Sequence, residues 1–304
     1  MKCFYHSADL DGRCSGAIVK MAYPECEMIG INYGDVFPWE SILIGGREQI
    51  FMVDFSLQPY TEMRKLNVYA DPLVWIDHHK SAIEEHEEWL RVENRPILGI
   101  QRSGIGACAL VWEYLQQALK GSLTLHTLFT LSTLPTFVKL LAEYDVWDHS
   151  DPRTLPFQYG MRQNTDTKPD NQDLWHSLFD IEFVNRITAN GRIILDYQIK
   201  QNARYIKACA FETELDGLKC IAVNKMLTNS KLFDSIWDSS KWDAMLTFGW
   251  RKGSWSVSLY SDRPDIDVSQ VAKDRGGGGH KGAAGFQCAK LPFALRKETD
   301  SSHG

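Results

Sequence analysis

The sequence predicts an α/β protein: a doubly wound, mainly parallel sheet in the N-terminal half and a smaller α/β domain after it. Three observations carry this. Short apolar runs alternate with stretches of helical spacing. Several of those runs stop on Asp or His. β-type runs return only after a long helical stretch near residue 200.

Lys2 to His6 reads as the first strand. Asp9-Leu10-Asp11-Gly12 is a turn, and Arg13 to Ala22 continues as a helix. Glu27 to Tyr33 is the second strand; Glu48 to Phe55 is the third, with Asp54 where the apolar run stops. Tyr60 to Leu66 has helical character, and Pro72 to Ile76 forms a buried strand ending in Asp77-His78-His79. Ile97 to Ile100 is a further short strand, and Ser103 is placed to cap a helix from Gly104 to Leu119. Leu134 to Tyr144 is helical and delivers Asp145. Asp148 to Asp173, rich in Pro, Asp, Asn and Gln, suits a long irregular connection. Ile181 to Phe211 reads as one connecting helix with the domain boundary inside it, and Leu218–Val223, Ala244–Trp250 and Trp255–Tyr260 follow as strands. The expected division is a first domain over 1–185, a connecting helix over 186–212, a second domain over 213–296 and a disordered tail over 297–304.

Composition narrows the partners. The chain has 304 residues and a net charge of −6, which argues against a duplex-DNA surface but leaves room for a small anionic substrate beside bound cations. No apolar run reaches the roughly 18 residues of a membrane span. The start of the sequence lacks the apolar core of a signal peptide. Seven scattered cysteines form no C-x-x-C pair, so reduced thiols and a cytoplasmic location are expected. A homodimer stays open.

The candidate chemistry lies in four clusters: His6 with Asp9 and Asp11; Asp54; Asp77-His78-His79; and Asp145, with Asp148 as competitor for the last role. In an open α/β sheet the strand carboxyl ends face one crevice, so these groups meet there although far apart along the chain. Carboxylate oxygens with a few imidazoles favour manganese or magnesium over a thiolate metal. A pair of divalent ions about 3.5–4 Å apart needs a shared carboxylate and several private ligands. Blander readings exist for each piece. Asp-Leu-Asp-Gly is good capping chemistry, Asp54 could end a strand, and adjacent histidines could sit in a solvated loop. His86, His126, His149, His176 and His303 read as structural or surface histidines, Cys14 and Cys108 as buried packers, and Trp39, Trp147 and Trp250 as aromatics able to line a cleft. Gly104-Ile-Gly106-Ala-Cys-Ala109 loosely matches a dinucleotide fingerprint, but no acid occurs between Glu113 and Glu143. Helix packing, or a phosphate near Arg102 and Ser103, explains it better than a nicotinamide oxidoreductase.

The same clusters, with Val268-Ser-Gln-Val-Ala272 and Gly276-Gly-Gly-Gly-His280-Lys-Gly-Ala-Ala-Gly285-Phe286 downstream, resemble the DHH/DHHA1 phosphoesterases over nearly the whole chain. That superfamily includes nanoRNases, cyclic-dinucleotide phosphodiesterases, 3′-phosphoadenosine-phosphate phosphatases and RecJ-type exonucleases, most using manganese. The resemblance implies two Mn2+ ions. His6 and Asp9 would hold one and Asp11 the other, with Asp54 bridging. His78 and Asp145 would complete the ligand set of the second ion. His79 would face the scissile phosphate or orient its neighbours, with Asp77 buttressing a histidine. Gly277, Gly278, Gly279 and His280 would grip a substrate phosphate. Tyr260 stands where many relatives carry arginine, so Arg263 would substitute or the tyrosine would stack on a base. The implied activity is hydrolysis of short oligonucleotides or linear or cyclic dinucleotides to mononucleotides. The alternatives are a phosphatase for a small bisphosphorylated nucleotide or polyphosphate, and a non-catalytic nucleotide sensor.

Overall fold

The computed structural model describes residues 1–43, 47–120 and 133–295. The expected tail over 297–304, His126 and His303 lie outside the described residues. The chain forms two compact units, Met1–Leu195 and Asp196–Gly304.

The first unit is built on a parallel sheet of β1 (Lys2–His6), β2 (Glu27–Ile31), β3 (Ile50–Val53) and β4 (Leu73–Ile76), in the order β2-β1-β3-β4. Every residue of β3 and β4 is buried, as expected for strands covered on both faces. Successive side chains go to opposite faces. Cys3, Tyr5, Phe51, Val53, Val74 and Ile76 join one core with α1 (Leu10–Ala22), α5 (Ala107–Ala118) and α6 (Thr136–Asp145). Phe4, Ile50, Met52, Leu73 and Trp75 join the other with α3 (Thr61–Tyr69) and α4 (Lys80–Glu93). A short α2 (Trp39–Leu43) precedes β3. Full burial of side chains such as Trp75 and Phe51 contributes about 1.5–3 kcal/mol each.

Three local expectations are corrected. Residues 97–100 make no full strand; two isolated bridges, Val74↔Leu98 and Asp77↔Gln101, extend the sheet past β4. Gly99 interrupts the pairing at φ +122°, pressed against the Trp75 carbonyl. The helix expected from Gly104 starts at Ala107, and Ser103 does not cap it. Its first amides are instead taken by Asp11 from α1. The stretch from Asp148 to Asp173 is not irregular throughout. It holds α7 (Thr154–Met161), whose proline, Pro156, falls in the first turn, where the missing N–H breaks no helical bond. Then come α8 (Gln172–Ser177), capped by Asn171, and α9 (Ile181–Cys209).

The second unit carries a mixed six-stranded sheet. Its strands are β5 (Phe211–Leu215), β6 (Leu218–Asn224), β7 (Ala244–Arg251), β8 (Ser254–Tyr260), β9 (Gly278–His280) and β10 (Ala283–Cys288), ordered β5-β6-β7-β8-β10-β9. Only β6 and β7 run parallel. Leu246, Phe248, Val257, Leu259 and Phe286 form its core, with α10 (Val268–Lys273). Among the described residues no helix is long and apolar enough to cross a membrane.

Gly106 sits where α5 meets α6. A Cβ there would lie 2.5 Å from the Ala142 Cα and 2.9 Å from its carbonyl oxygen, both backbone atoms that cannot swing aside. Gly106→Ala should therefore lower stability by about 1–3 kcal/mol, the usual range for overpacking. Denaturant unfolding checks this; an unchanged midpoint would show that the helices part without cost.

Candidate metal centre

The chain runs from β1 to β2 on one side and returns to β3 on the other, so the sheet reverses its order beside β1. The carboxyl ends there form the crevice where open α/β sheets bind ligands. His6 ends β1, Asp54 follows β3, and Asp77, His78 and His79 follow β4. Asp9 caps α1, accepting the Gly12 N–H at 3.0 Å, so its capping role holds alongside its place in the cluster. Asp145 ends α6.

Asp54 is the common neighbour. Its Oδ2 lies 3.5 Å from His6 Nδ1, and its Oδ1 lies 3.2 Å from His78 Nε2. His6 Nδ1 also approaches Asp9 Oδ2 at 3.1 Å. His78 Nε2 approaches Asp145 Oδ2 at 3.1 Å and Asp11 Oδ2 at 4.0 Å. Two trios thus form, His6–Asp9–Asp54 and Asp11–His78–Asp145, each with potential donor atoms within 4.8 Å of one another. Asp148, the rival of Asp145, is exposed and accepts the Ser150 N–H.

The fit to cations shows in the hydrogen bonding. His6 Nδ1, His78 Nε2 and both oxygens of Asp54 are buried yet misaligned for hydrogen bonds, although within ion-pair range. Buried polar atoms without partners are rare and call for a cause. Oxygen and imidazole donors converging in this way suit hard or borderline divalent ions. Asp54 is also held at φ +55°, an arrangement that costs a non-glycine residue roughly 1–3 kcal/mol.

Asp77 and Asp11 act on their neighbours through hydrogen bonds. Asp77 Oδ1 accepts the N–H groups of His78 (2.7 Å) and His79 (3.2 Å) and lies 2.6 Å from His79 Nδ1. That fixes the turn and holds a His79 proton at Nδ1, and the Asp77 carboxylate, outweighing the burial that disfavours the charged ring, raises His79 above its usual 6.5. Asp11 accepts the Ala107 and Cys108 N–H groups at 2.6 and 2.9 Å. Each of its oxygens keeps a second lone pair.

The site is crowded with charge. For His6 and His78, burial disfavours the charged ring, but the Asp54 carboxylate and further acids outweigh it and push both up to about 10. Burial, then the Asp54 charge, raises Asp11 to about 7. Burial, then the Asp11 charge, does the same to Asp145. Asp54 is raised by burial and Asp9. Asp9 is lowered, because His6 outweighs its burial.

The expected substrate residues are divided between the two units. Arg102 pairs with Glu113 at 2.5 Å, and Ser103 is exposed beside it. Arg263 is held by Asp243 (2.6 Å) and Asp265 (2.5 Å), and Tyr260 donates to the Thr228 carbonyl. Gly278, Gly279 and His280 form the exposed edge strand β9, preceded by Gly277. Of the tryptophans, Trp39 lines a cavity, Trp147 is exposed beside Tyr144 and His149, and Trp250 packs on Trp255. His86 is buried and bonded to the Tyr60 hydroxyl, and Cys14 and Cys108 are fully buried.

Sequence reasoning missed two cavities that border the cluster. One, of about 220 Å³, is lined by Asp9, Asp11 and Asp145 together with Arg13, Gln158 and Arg162. Gln158 is 4% exposed and its Oε1 has no hydrogen-bond partner among the described residues. The other is walled by Tyr33 and Phe55, close to His6 and His79. Helical spacing places Gln158 on the inner face of α7, a signal hidden by reading that stretch as a loop.

No family model matches the chain. The oligoribonuclease NrnB of Bacillus subtilis is 26% identical over 96% of this chain and 74% of its own length. In its motif set the chain resembles the DHH/DHHA1 phosphoesterases. An uncharacterised protein of Acanthamoeba polyphaga mimivirus, R106, is 26% identical over 82% of this chain, which spans 55% of that protein's length. Among solved structures, RecJ in complex with Mn2+ from Thermus thermophilus aligns at a TM-score of 0.45 and 13% identity, covering 94% of this chain and 49% of that one. A likeness that slight has no bearing on the site.

Cation binding must displace protons here. The contribution of His6 and His78 to metal-free stability is complete below their unfolded value of 6.5 and is lost as pH rises through about 10. Asp11 and Asp145 also sit above their unfolded 3.8, so their contribution is complete below it and is lost as pH rises through about 7. A divalent ion needs the deprotonated donors, so its affinity should rise with pH. The gain in Tm from saturating Mn2+ should accordingly be larger at pH 8 than at pH 6, with protons released on titration. An equal or larger gain at pH 6 would contradict this electrostatic reading.

Proposed function

We propose that the chain is a divalent-metal-dependent phosphodiesterase that cleaves short oligonucleotides or dinucleotides, linear or cyclic, to mononucleotides. The observation that carries this is the Asp54 carboxylate, with one oxygen toward the His6–Asp9 pair and the other toward the His78–Asp145 pair. A carboxylate so placed could be shared between two cations. The B. subtilis relative, named as an oligoribonuclease, supports the substrate class.

Bound manganese, or magnesium in its place, would lower the pKa of a water toward neutrality and offset charge on the phosphoryl oxygens. The protein's part is placement. His6, Asp9 and Asp54 would hold one ion, and Asp11, Asp54, His78 and Asp145 the other. His79, its Nδ1 tied to Asp77, would present Nε2 to the phosphate or leaving group. Arg13 is oriented by bonds to the Ser7 carbonyl (2.9 Å) and Thr167 hydroxyl (2.6 Å), and Arg162 by the Tyr144 hydroxyl (3.0 Å). Both line the smaller cavity beside the carboxylates, where a guanidinium would balance a substrate phosphate. In the second unit, Gly278, Gly279 and His280 would bind another phosphate along the edge strand, whereas the Gly277 amide expected to join them is already donated to the Ala272 carbonyl at 2.9 Å. The pairing of Arg102 and Arg263 with acids argues for a structural part in each.

Incubation with Mn2+ and a panel of di- to pentanucleotides, cyclic dinucleotides and bisphosphates, with products identified by mass, tests the reading. Mononucleotides should accumulate; release of inorganic phosphate alone would assign a phosphatase instead. Asp77→Asn, which leaves the direct ligand candidates in place, should cost about 10–100-fold in metal affinity or turnover, as is usual when a ligand's supporting hydrogen bond is lost. An unchanged variant would remove Asp77 from the account.

A further inference from the structure

The larger cavity, about 360 Å³ and lying within the first unit, stands one ring away from the metal centre. The Tyr33 ring lies 5.8 Å from His6 and 6.3 Å from His79, centroid to centroid. Phe55 backs it at 4.5 Å and a 33° tilt, and Tyr33 itself stays 50% exposed. An aromatic face is therefore supported from behind and left open in front. The charged lining is acidic: Asp35 and Glu62 contribute, and among the described residues no Lys or Arg does. Glu62 already faces Lys65 at 3.6 Å. Asp35 accepts the Asn32 N–H with Oδ2, which leaves Oδ1 for a ligand.

These features select the occupant. Acids in the lining, with the nearby Lys65 already drawn to Glu62 and the Trp39 ring, disfavour a phosphate. An aliphatic chain would make no use of the Asp35 carboxylate. A flat heteroaromatic ring with N–H groups on its edge satisfies both the tyrosine face and the carboxylate. The volume is at the low end of small-molecule sites, roughly 300–1,000 Å³, so it takes one such ring and its sugar rather than a whole dinucleotide. We propose that this cavity is the base subsite: the nucleobase of the nucleotide next to the scissile phosphate stacks on Tyr33, with its N–H edge toward Asp35. The neighbouring phosphate rests on the phosphodiesterase reading above; the stacking does not.

The test is calorimetric binding to the Mn2+-loaded full chain of three probes: a nucleoside 5′-monophosphate, ribose 5-phosphate and inorganic phosphate. The nucleotide should bind tighter than ribose 5-phosphate by about 5- to 150-fold, the range of base–aromatic stacking. Tyr33→Phe keeps that margin. Tyr33→Ala, or Tyr33→Leu should the alanine variant unfold, removes it and leaves ribose 5-phosphate affinity unchanged. A wild type with no margin, or a ring-free variant that retains it, overturns the base subsite. A normal margin without any phosphodiester hydrolysis would instead overturn only the proposed function.

Discussion

The centre depends on one carboxylate placed between two imidazoles. Asp54 reaches that position because β3 is apolar and buried to its last residue and the chain then turns through a left-handed residue. The other groups arrive by close packing. A Cβ on Gly12 would lie 2.1 Å from the His6 carbonyl oxygen, so only glycine lets α1 start hard against the end of β1. That approach brings Asp9 to His6 and Asp11 to the start of α5. Asp11 then caps α5, and α5 meets α6 through Gly106, which sets the helix ending in Asp145. The ligand candidates and the packing of the first unit are thus one arrangement.

The electrostatics follow from that geometry. Asp9, Asp11, Asp54, Asp77 and Asp145 crowd around His6, His78 and His79, most of them shielded from water. Like charges so close, in a low dielectric, are tolerated only by protonation or by cations. Without ions the structure relies on charged histidines and on carboxyls held neutral well above their usual range. Acids gathered in this way at the mouth of a sheet could also take up positive charge from outside the chain.

Much of the first unit was legible because each key strand is a closed apolar run with an acid or histidine at its end. His6, Asp54 and Asp77 announce themselves in this way, and Asp9 does so through its capping pattern. Other features depend on contacts that no local pattern records. Ser103 precedes a helix and has the right chemistry, yet Asp11 caps that helix from about a hundred residues earlier. The Pro, Asp, Asn and Gln content of Asp148 to Asp173 made α7 read as a loop, although Pro156 in its first turn breaks nothing. Arg263 looked available for substrate until Asp243 and Asp265 were found beside it. Tyr33 and Phe55 come from the ends of different strands, so only the folded sheet makes them a surface.

The most direct measurement is anomalous diffraction at the manganese edge from crystals grown with Mn2+. Two peaks about 3.5–4 Å apart, each within coordination distance of a different Asp54 oxygen, are the expected result. A well-ordered site with no anomalous peak within reach of Asp54 would contradict the account at its root.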